Sequence, residues 1–208
     1  MPHALSDIEA TAARYSSFAP ILHVDFADGV FAPNTTWMPA HDSRFTNMQW
    51  EAHLMVAAPK ELGLACIRAG ASRVIGHVEA MNDVENTFTA WKNAGAQECV
   101  LGTLFDTPTE SLAPHIPLCD ALMVMCITAI GVQGLPADPN ASAHVANIRA
   151  RYPNMLIEVD GAISEHTISA LARAGASRFC AGSVLSKSAD PAATYQMLLS
   201  LTESAARA

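Results

Sequence analysis

Apolar positions along this chain follow two periods that alternate. Short runs rich in Val, Ile, Leu, Met and Cys read as strands, and they are separated by longer stretches whose apolar residues recur every three or four positions, as on one face of a helix. The predicted strands are His3–Ser6, Ile21–Phe26, Glu51–Val56, Arg73–Val78, Glu98–Leu104, Ala121–Cys126, Met155–Asp160 and Arg178–Ala181. The predicted helices cover Asp7–Phe18, with Ser6 or Asp7 as N-cap, and Pro59 to about Ala69, stopped by Gly70. Others run from an Asn82-Asp83 cap to near Gly95, briefly after Thr107-Pro108, from about Asn140 to Tyr152, from Ser164 to before Gly175, and from about Pro191 to Ala206. The stretch from Ala27 to Trp50 is long for a loop and is expected to carry a short helix. The phrase Ala-Gly-Ala-Ser-Arg at 69–73 returns at 174–178, each time between a helix and a strand, and reads as recurring turn chemistry.

Strands alternating with helices predict a parallel sheet, and eight such units predict a (β/α)8 TIM barrel occupying residues 1–208 as one domain. An open, doubly wound sheet is the alternative. Half of the 208 residues are hydrophobic and only 15% are charged, which suits strands buried on both faces. The net charge of −8 argues against nucleic acid or an anionic membrane as partner. The first 18 residues show neither a basic nor an apolar signal region, and no apolar run is long enough to cross a bilayer. The five cysteines (66, 99, 119, 126 and 180) lack zinc-like spacing and read as free thiols of a cytoplasmic protein.

The candidate chemistry starts at Ile21–Asn34, where an apolar strand runs into a polar loop through Asp28-Gly29 and Pro33-Asn34. His23 and Asp25 are two apart, so both point to one face of the strand, and an imidazole beside a carboxylate can hold a divalent metal. His53 and Asp160 also fall near the C-terminal ends of predicted strands. Taken singly, a strand histidine is more often a hydrogen-bonded core residue and a strand-end aspartate a helix cap. Together, on strands whose ends a closed barrel gathers, two histidines and two carboxylates suit zinc, manganese, iron(II) or cobalt.

The segment His23-Val24-Asp25-Phe26-Ala27-Asp28-Gly29-Val30-Phe31-Ala32-Pro33-Asn34 resembles the ribulose-phosphate 3-epimerase family, as do Ala52-His53-Leu54-Met55-Val56 and Ile157-Glu158-Val159-Asp160-Gly161, in the same order. The resemblance implies a barrel of the ribulose-phosphate binding type. It also implies a metal held by His23, Asp25, His53 and Asp160, with Asp25 and Asp160 as the two acid/base groups. Such an enzyme inverts the carbon beside the ketone of D-ribulose 5-phosphate, giving D-xylulose 5-phosphate through a metal-stabilised enediolate. Two groups are required, because a single base returns the proton to the face it came from. Met55, His77 and Met125 match family positions that line the substrate, although as bare residues they read as core. Ser6 matches the family's first-strand serine, and Gly161, Gly182 and Ser183 match its phosphate end. The partner implied is a small sugar phosphate, and the family's members are commonly homo-oligomers.

The likeness thins around the substrate. Cys126-Ile127-Thr128-Ala129-Ile130-Gly131-Val132-Gln133-Gly134 stands where the family has Glu-Pro-Gly-Phe-Gly-Gly-Gln, and Gly161-Ala162 stands for Gly-Gly. Alternatives are therefore a related metal-dependent enzyme of a different sugar or sugar phosphate, and a non-catalytic ligand-binding barrel.

Overall fold

Strand formation follows the apolar runs closely. The computed structural model describes residues 1–39 and 47–207. Helix α1 (Leu5–Tyr15) leads, followed by β1 (Ile21–Ala27), β2 (Gln49–Met55), α2 (Pro59–Arg68), β3 (Arg73–His77), α3 (Val84–Asn93), β4 (Glu98–Thr103) and β5 (Ala121–Met125). The chain continues through α4 (Ala141–Arg151), β6 (Ile157–Asp160), α5 (Ile168–Arg173), β7 (Arg178–Cys180), a four-residue α6 (Ser183–Ser186) and α7 (Pro191–Ala206). The strands form one parallel sheet in sequence order, β1 to β7. It curls into a nearly closed barrel: His23 on β1 and Cys180 on β7 meet across the seam, their Nδ1 and Sγ 3.4 Å apart.

The predicted strand at His3–Ser6 does not form, so the described residues carry seven strands rather than eight. The reason is local. Asp7 reaches back to accept hydrogen bonds from the backbone N–H groups of His3 and Ala4 at 2.8 and 2.9 Å, and this caps a helix that begins at Leu5. Helix α1 then packs across the seam, where Arg14 donates to the carbonyls of Ser186 and Ser188 at 3.3 and 3.2 Å. Of the stretch between Ala27 and Trp50, where a short helix is expected, the described residues carry no helix, and 40–46 lie outside the described residues.

Other signals hold. Pro59 opens α2, Asp83 caps α3 by accepting from Asn86 N, and Asp190 caps α7 by accepting from Ala193 N. In both copies of the repeated phrase the glycine ends a helix in the left-handed region, Gly70 at φ 105° and Gly175 at φ 112°.

The two-residue strand period separates two cores. Outside the barrel, residues such as Val24, Leu54, Val74, Leu101, Val124 and Val159 pack under the helices. Inside, Met55, Ile75, Val100, Met123 and Met125 fill the barrel beside its polar residues. One close approach between α2, β3 and α3 is tight. A Cβ on Gly63 would lie 2.3 Å from the Trp91 ring, and Trp91 Nε1 donates to Lys60 O at 2.9 Å. Gly63→Ala is expected to destabilise by about 1–3 kcal/mol from overpacking, although alanine is the better helix former by ~1 kcal/mol. Urea unfolding checks this, and a more stable variant would contradict the packing.

Candidate active site: a buried histidine and carboxylate cluster

Three strands bring acid and imidazole groups inward in pairs two residues apart: His23 and Asp25 on β1, Glu51 and His53 on β2, and Glu158 and Asp160 on β6. Register sets His23 beside Glu51 and Asp25 beside His53. Asp160 pairs with Met125 on one side and Cys180 on the other.

Toward the strands' C-terminal ends, His53 Nδ1 lies 3.0 Å from Asp25 Oδ1, 3.2 Å from His23 Nε2 and 3.7 Å from Asp160 Oδ2. One donor atom from each of these four residues falls within 4.8 Å of the others, a span that one ion can gather. The four residues singled out in the sequence are therefore brought together. His77 joins behind them, its Nε2 2.9 Å from His53 Nε2, and its ring is fully buried against Phe31. Met55 and Met125 are buried and line the same cavity, which measures about 990 Å³. Gly161, Gly182 and Ser183 line it too, but Ser6 does not: it sits on the exposed face of α1, in a helix rather than on a strand.

The electrostatics divide the two aspartates. Burial opposes ionisation of Asp25, but hydrogen bonds from His23 and His53 more than offset it and hold the carboxyl far below the usual range. Burial pushes Asp160 up to about 6, and the Asp25 carboxylate adds to this. Burial lowers His53 to about 4, so it is neutral and able to ligate. His23 is raised despite its burial, because Cys180, Asp25 and Glu51 surround it. The donor set thus fits a divalent cation: a neutral imidazole, a second imidazole and two carboxylates that need positive charge between them.

Sequence reading missed a layer beneath this one. Glu51 Oε1 lies 2.8 Å from His23 Nδ1, and Glu51 Oε2 accepts from Arg73 at 3.1 Å. Arg178 reaches Glu98 at 3.0 Å and Glu158 at 4.0 Å. The signal was present: Glu51 and Glu158 stand two residues before His53 and Asp160, and the repeated phrase ends in Arg73 and Arg178.

Loop contacts shape the mouth. Asp28 accepts from the N–H groups of Val30, Phe31 and Ala57 at 2.8–3.0 Å, tying the loop after β1 to the end of β2. Asn34 Nδ2 donates to Gly131 O, joining that loop to the one after β5. Ala162 is left-handed at φ 56°, a conformation that strains an alanine.

A parallel α/β barrel whose strand ends converge on histidines and carboxylates beside a large cavity defines an enzyme of the TIM-barrel class. Residues 5–186 match the ribulose-phosphate 3 epimerase family, and the chain belongs to it; it is an isomerase of the racemase and epimerase class acting on carbohydrates. Ribulose-phosphate 3-epimerase of Chlamydia muridarum is 32% identical over 182 residues, covering 82% of this chain and 78% of that protein. Its counterpart from Mycobacterium tuberculosis is 33% identical over 184 residues, covering 85% and 80%. Among solved structures, KGPDC from Streptococcus mutans superposes with a TM-score of 0.72 at 10% identity, covering 96% of this chain and 93% of that one. A 3-hexulose-6-phosphate synthase superposes at 0.66 and 18% identity, covering 96% and 95%. At such identities the two structures speak for the fold alone.

Two outcomes are expected here. In metal-stripped protein, the raised pKa of Asp160 stabilises the fold below about pH 4 and that contribution is lost as pH rises through about 6. Asp160→Asn should therefore gain about 2–3 kcal/mol relative to the parent between pH 4 and 7, read by denaturant unfolding at several pH values. Ala162→Gly should raise stability by about 0.5–1 kcal/mol through relief of the left-handed alanine, and a lower Tm would refute the strain.

Proposed function

We propose that this chain is a metal-dependent ketose-phosphate epimerase interconverting D-ribulose 5-phosphate and D-xylulose 5-phosphate. The observation that carries the reading is the pair Asp25 and Asp160. Their carboxylates flank the same His53 nitrogen, at 3.0 and 3.7 Å, with protonation tendencies driven apart. His23, Asp25, His53 and Asp160 would hold the divalent ion, zinc, iron(II), manganese or cobalt. When bound, it supplies positive charge beside the carbonyl oxygen where negative charge develops.

The chain's own residues do the rest. With the reacting carbon between them, one aspartate takes the proton from C3 and the other delivers one to the opposite face. Asp25, held ionised, suits the base, and Asp160, closer to neutral pH, suits the acid; the roles exchange in the reverse direction. Buried Met55 and Met125 line the reacting end and keep water off the intermediate, and His77 supports His53 from behind. Gly161, Gly182 and Ser183 line the same cavity and would form the phosphate cradle, with backbone N–H groups of Gly182 and Ser183 as donors. Lys187 stands near the loop after β5, its Nζ 3.5 Å from where a Cβ on the cavity-lining Gly134 would be. In this reading residues 1–208 act as one domain, in the cytoplasm and as a homo-oligomer. No helix among the described residues is long and apolar enough to cross a membrane.

A second reading, the same chemistry on another ketose, is favoured by Ile127. It is 6% exposed, and its side chain stands within 2.9 Å of where a Gly161 Cβ would be, so an apolar group presses on the proposed phosphate end.

Proton NMR of D-ribulose 5-phosphate in D₂O with metal-loaded protein separates the two. Loss of the C3 proton with appearance of D-xylulose 5-phosphate is expected; retention of that proton would reject this substrate and direct the test to other ketoses. Asp160→Asn should lower kcat by about 10²–10⁴-fold with the fold retained, and near-normal turnover would reject the two-aspartate scheme. His53→Ala should lower the metal content measured by elemental analysis.

A further inference from the structure

A second group of donors lies directly beneath the first. It comprises His23, Glu51, Glu158 and Cys180, each offering one donor atom within 4.8 Å of the others. His23 Nδ1 lies 2.8 Å from Glu51 Oε1 and 3.4 Å from Cys180 Sγ, and Cys180 Sγ lies 3.1 Å from Glu158 Oε1. The upper group meets the other side of the same imidazole, through Nε2.

An independent observation points to a missing occupant. Glu158 is 1% exposed, yet its Oε2 accepts no hydrogen bond; the Arg178 Nη1 group stands off at 4.0 Å and donates instead to Glu98. A buried carboxylate oxygen without a donor is costly, because desolvation is not repaid. Glu51 and Glu158 also bring two carboxyl groups within 4.8 Å of one another, which like-charge repulsion opposes. Both costs disappear if a cation lies between them.

We propose that His23 Nδ1, Cys180 Sγ and the carboxylates of Glu51 and Glu158 form a second divalent-cation site, with His23 shared between it and the site above. The donors are one nitrogen, one sulfur and two carboxylates, a mixed set that suits zinc or cobalt(II) and excludes magnesium and calcium, which take oxygen ligands alone. Binding displaces the thiol proton of Cys180 and the proton on His23 Nδ1 to solvent, so uptake strengthens with pH. The ion has a route in: the cavity that reaches Asp25 and Asp160 is also lined by Glu51, Glu158 and Cys180. An ion there fixes the ring of His23 from below and so orients Nε2 toward Asp25 and His53. Nothing in the site requires His53 or Asp160.

Cobalt(II) is the probe, added under reducing, oxygen-free conditions to metal-stripped protein. A thiolate bound to cobalt gives a near-ultraviolet charge-transfer band that nitrogen and oxygen ligands do not. The parent protein is expected to show this band and to hold two cobalt ions per chain by elemental analysis. Cys180→Ser and Cys180→Ala should both lose the band and one ion while keeping the circular dichroism of the parent. Glu158→Gln should weaken the half-saturation of the band about tenfold or more. His53→Ala should keep the band while losing the upper ion. Cobalt bound without the band, a band that survives both Cys180 substitutions, or a band lost in folded His53→Ala would each overturn the proposal. None of these readouts uses turnover, so failure of the epimerase reading and failure of the second site are told apart.

Discussion

Charge neutralisation inside the barrel is the constraint on which the rest depends. Ionisable side chains from β1, β2, β6 and β7 are buried where an unpaired charge would cost several kcal/mol, and most are set against an opposite one, with Glu158 and Asp160 the least well matched. Arg73 stands between Glu51 and Glu98, and Arg178 between Glu98 and Glu158. His23 stands between Glu51 and Asp25. Midway along β3 to β5 the facing wall is apolar through Ile75, Val100 and Met123, with Arg73 and Glu98 below them and His77 above on the same strands. The barrel is therefore polarised: Ile75, Val100 and Met123 pack one side of its middle, and most of the acid and imidazole groups lie toward the seam.

That asymmetry explains how two aspartates of similar burial come to differ. Asp25 receives two imidazoles, whereas Asp160 receives one backbone N–H, from Gly161, and the repulsion of Asp25. The same residue type thus acquires two different protonation tendencies from what surrounds each. The tight turn after Asp160 comes at a cost, since Ala162 occupies a left-handed conformation that glycine adopts freely. Strain of this kind survives where surrounding contacts overrule local preference.

Much of this was legible residue by residue. The bounds of α7 follow from Asp190 and Pro191, and those of α2 from Pro59 and Gly70. The four residues His23, Asp25, His53 and Asp160 were recognisable because they stand at strand ends within segments of recognisable pattern. The strand expected at His3–Ser6 failed because four residues of weak alternation cannot outweigh a carboxylate, Asp7, that caps a helix over the same stretch. Ser6 left the site with it. Glu51 and Glu158 show no role in the sequence and Cys180 reads only as a free thiol, because an acid or a thiol in an apolar run has no partner in sequence; theirs lie 22 to 157 positions away.

By itself, then, the sequence determined the alternation of strand and helix, the helix caps, the inward period of each strand and the identity of the acid and imidazole groups. These depend on neighbours within a few residues, whose sterics and hydrogen bonds are local. Only the tertiary structure decided which groups share a space: that His53 sits between Asp25 and Asp160, that His23 presents its two nitrogens to two different clusters, and that Arg73 and Arg178 close on one glutamate. Register between strands and closure of the barrel set those distances, and with them the local dielectric and charge that turn similar carboxyl groups into different acids.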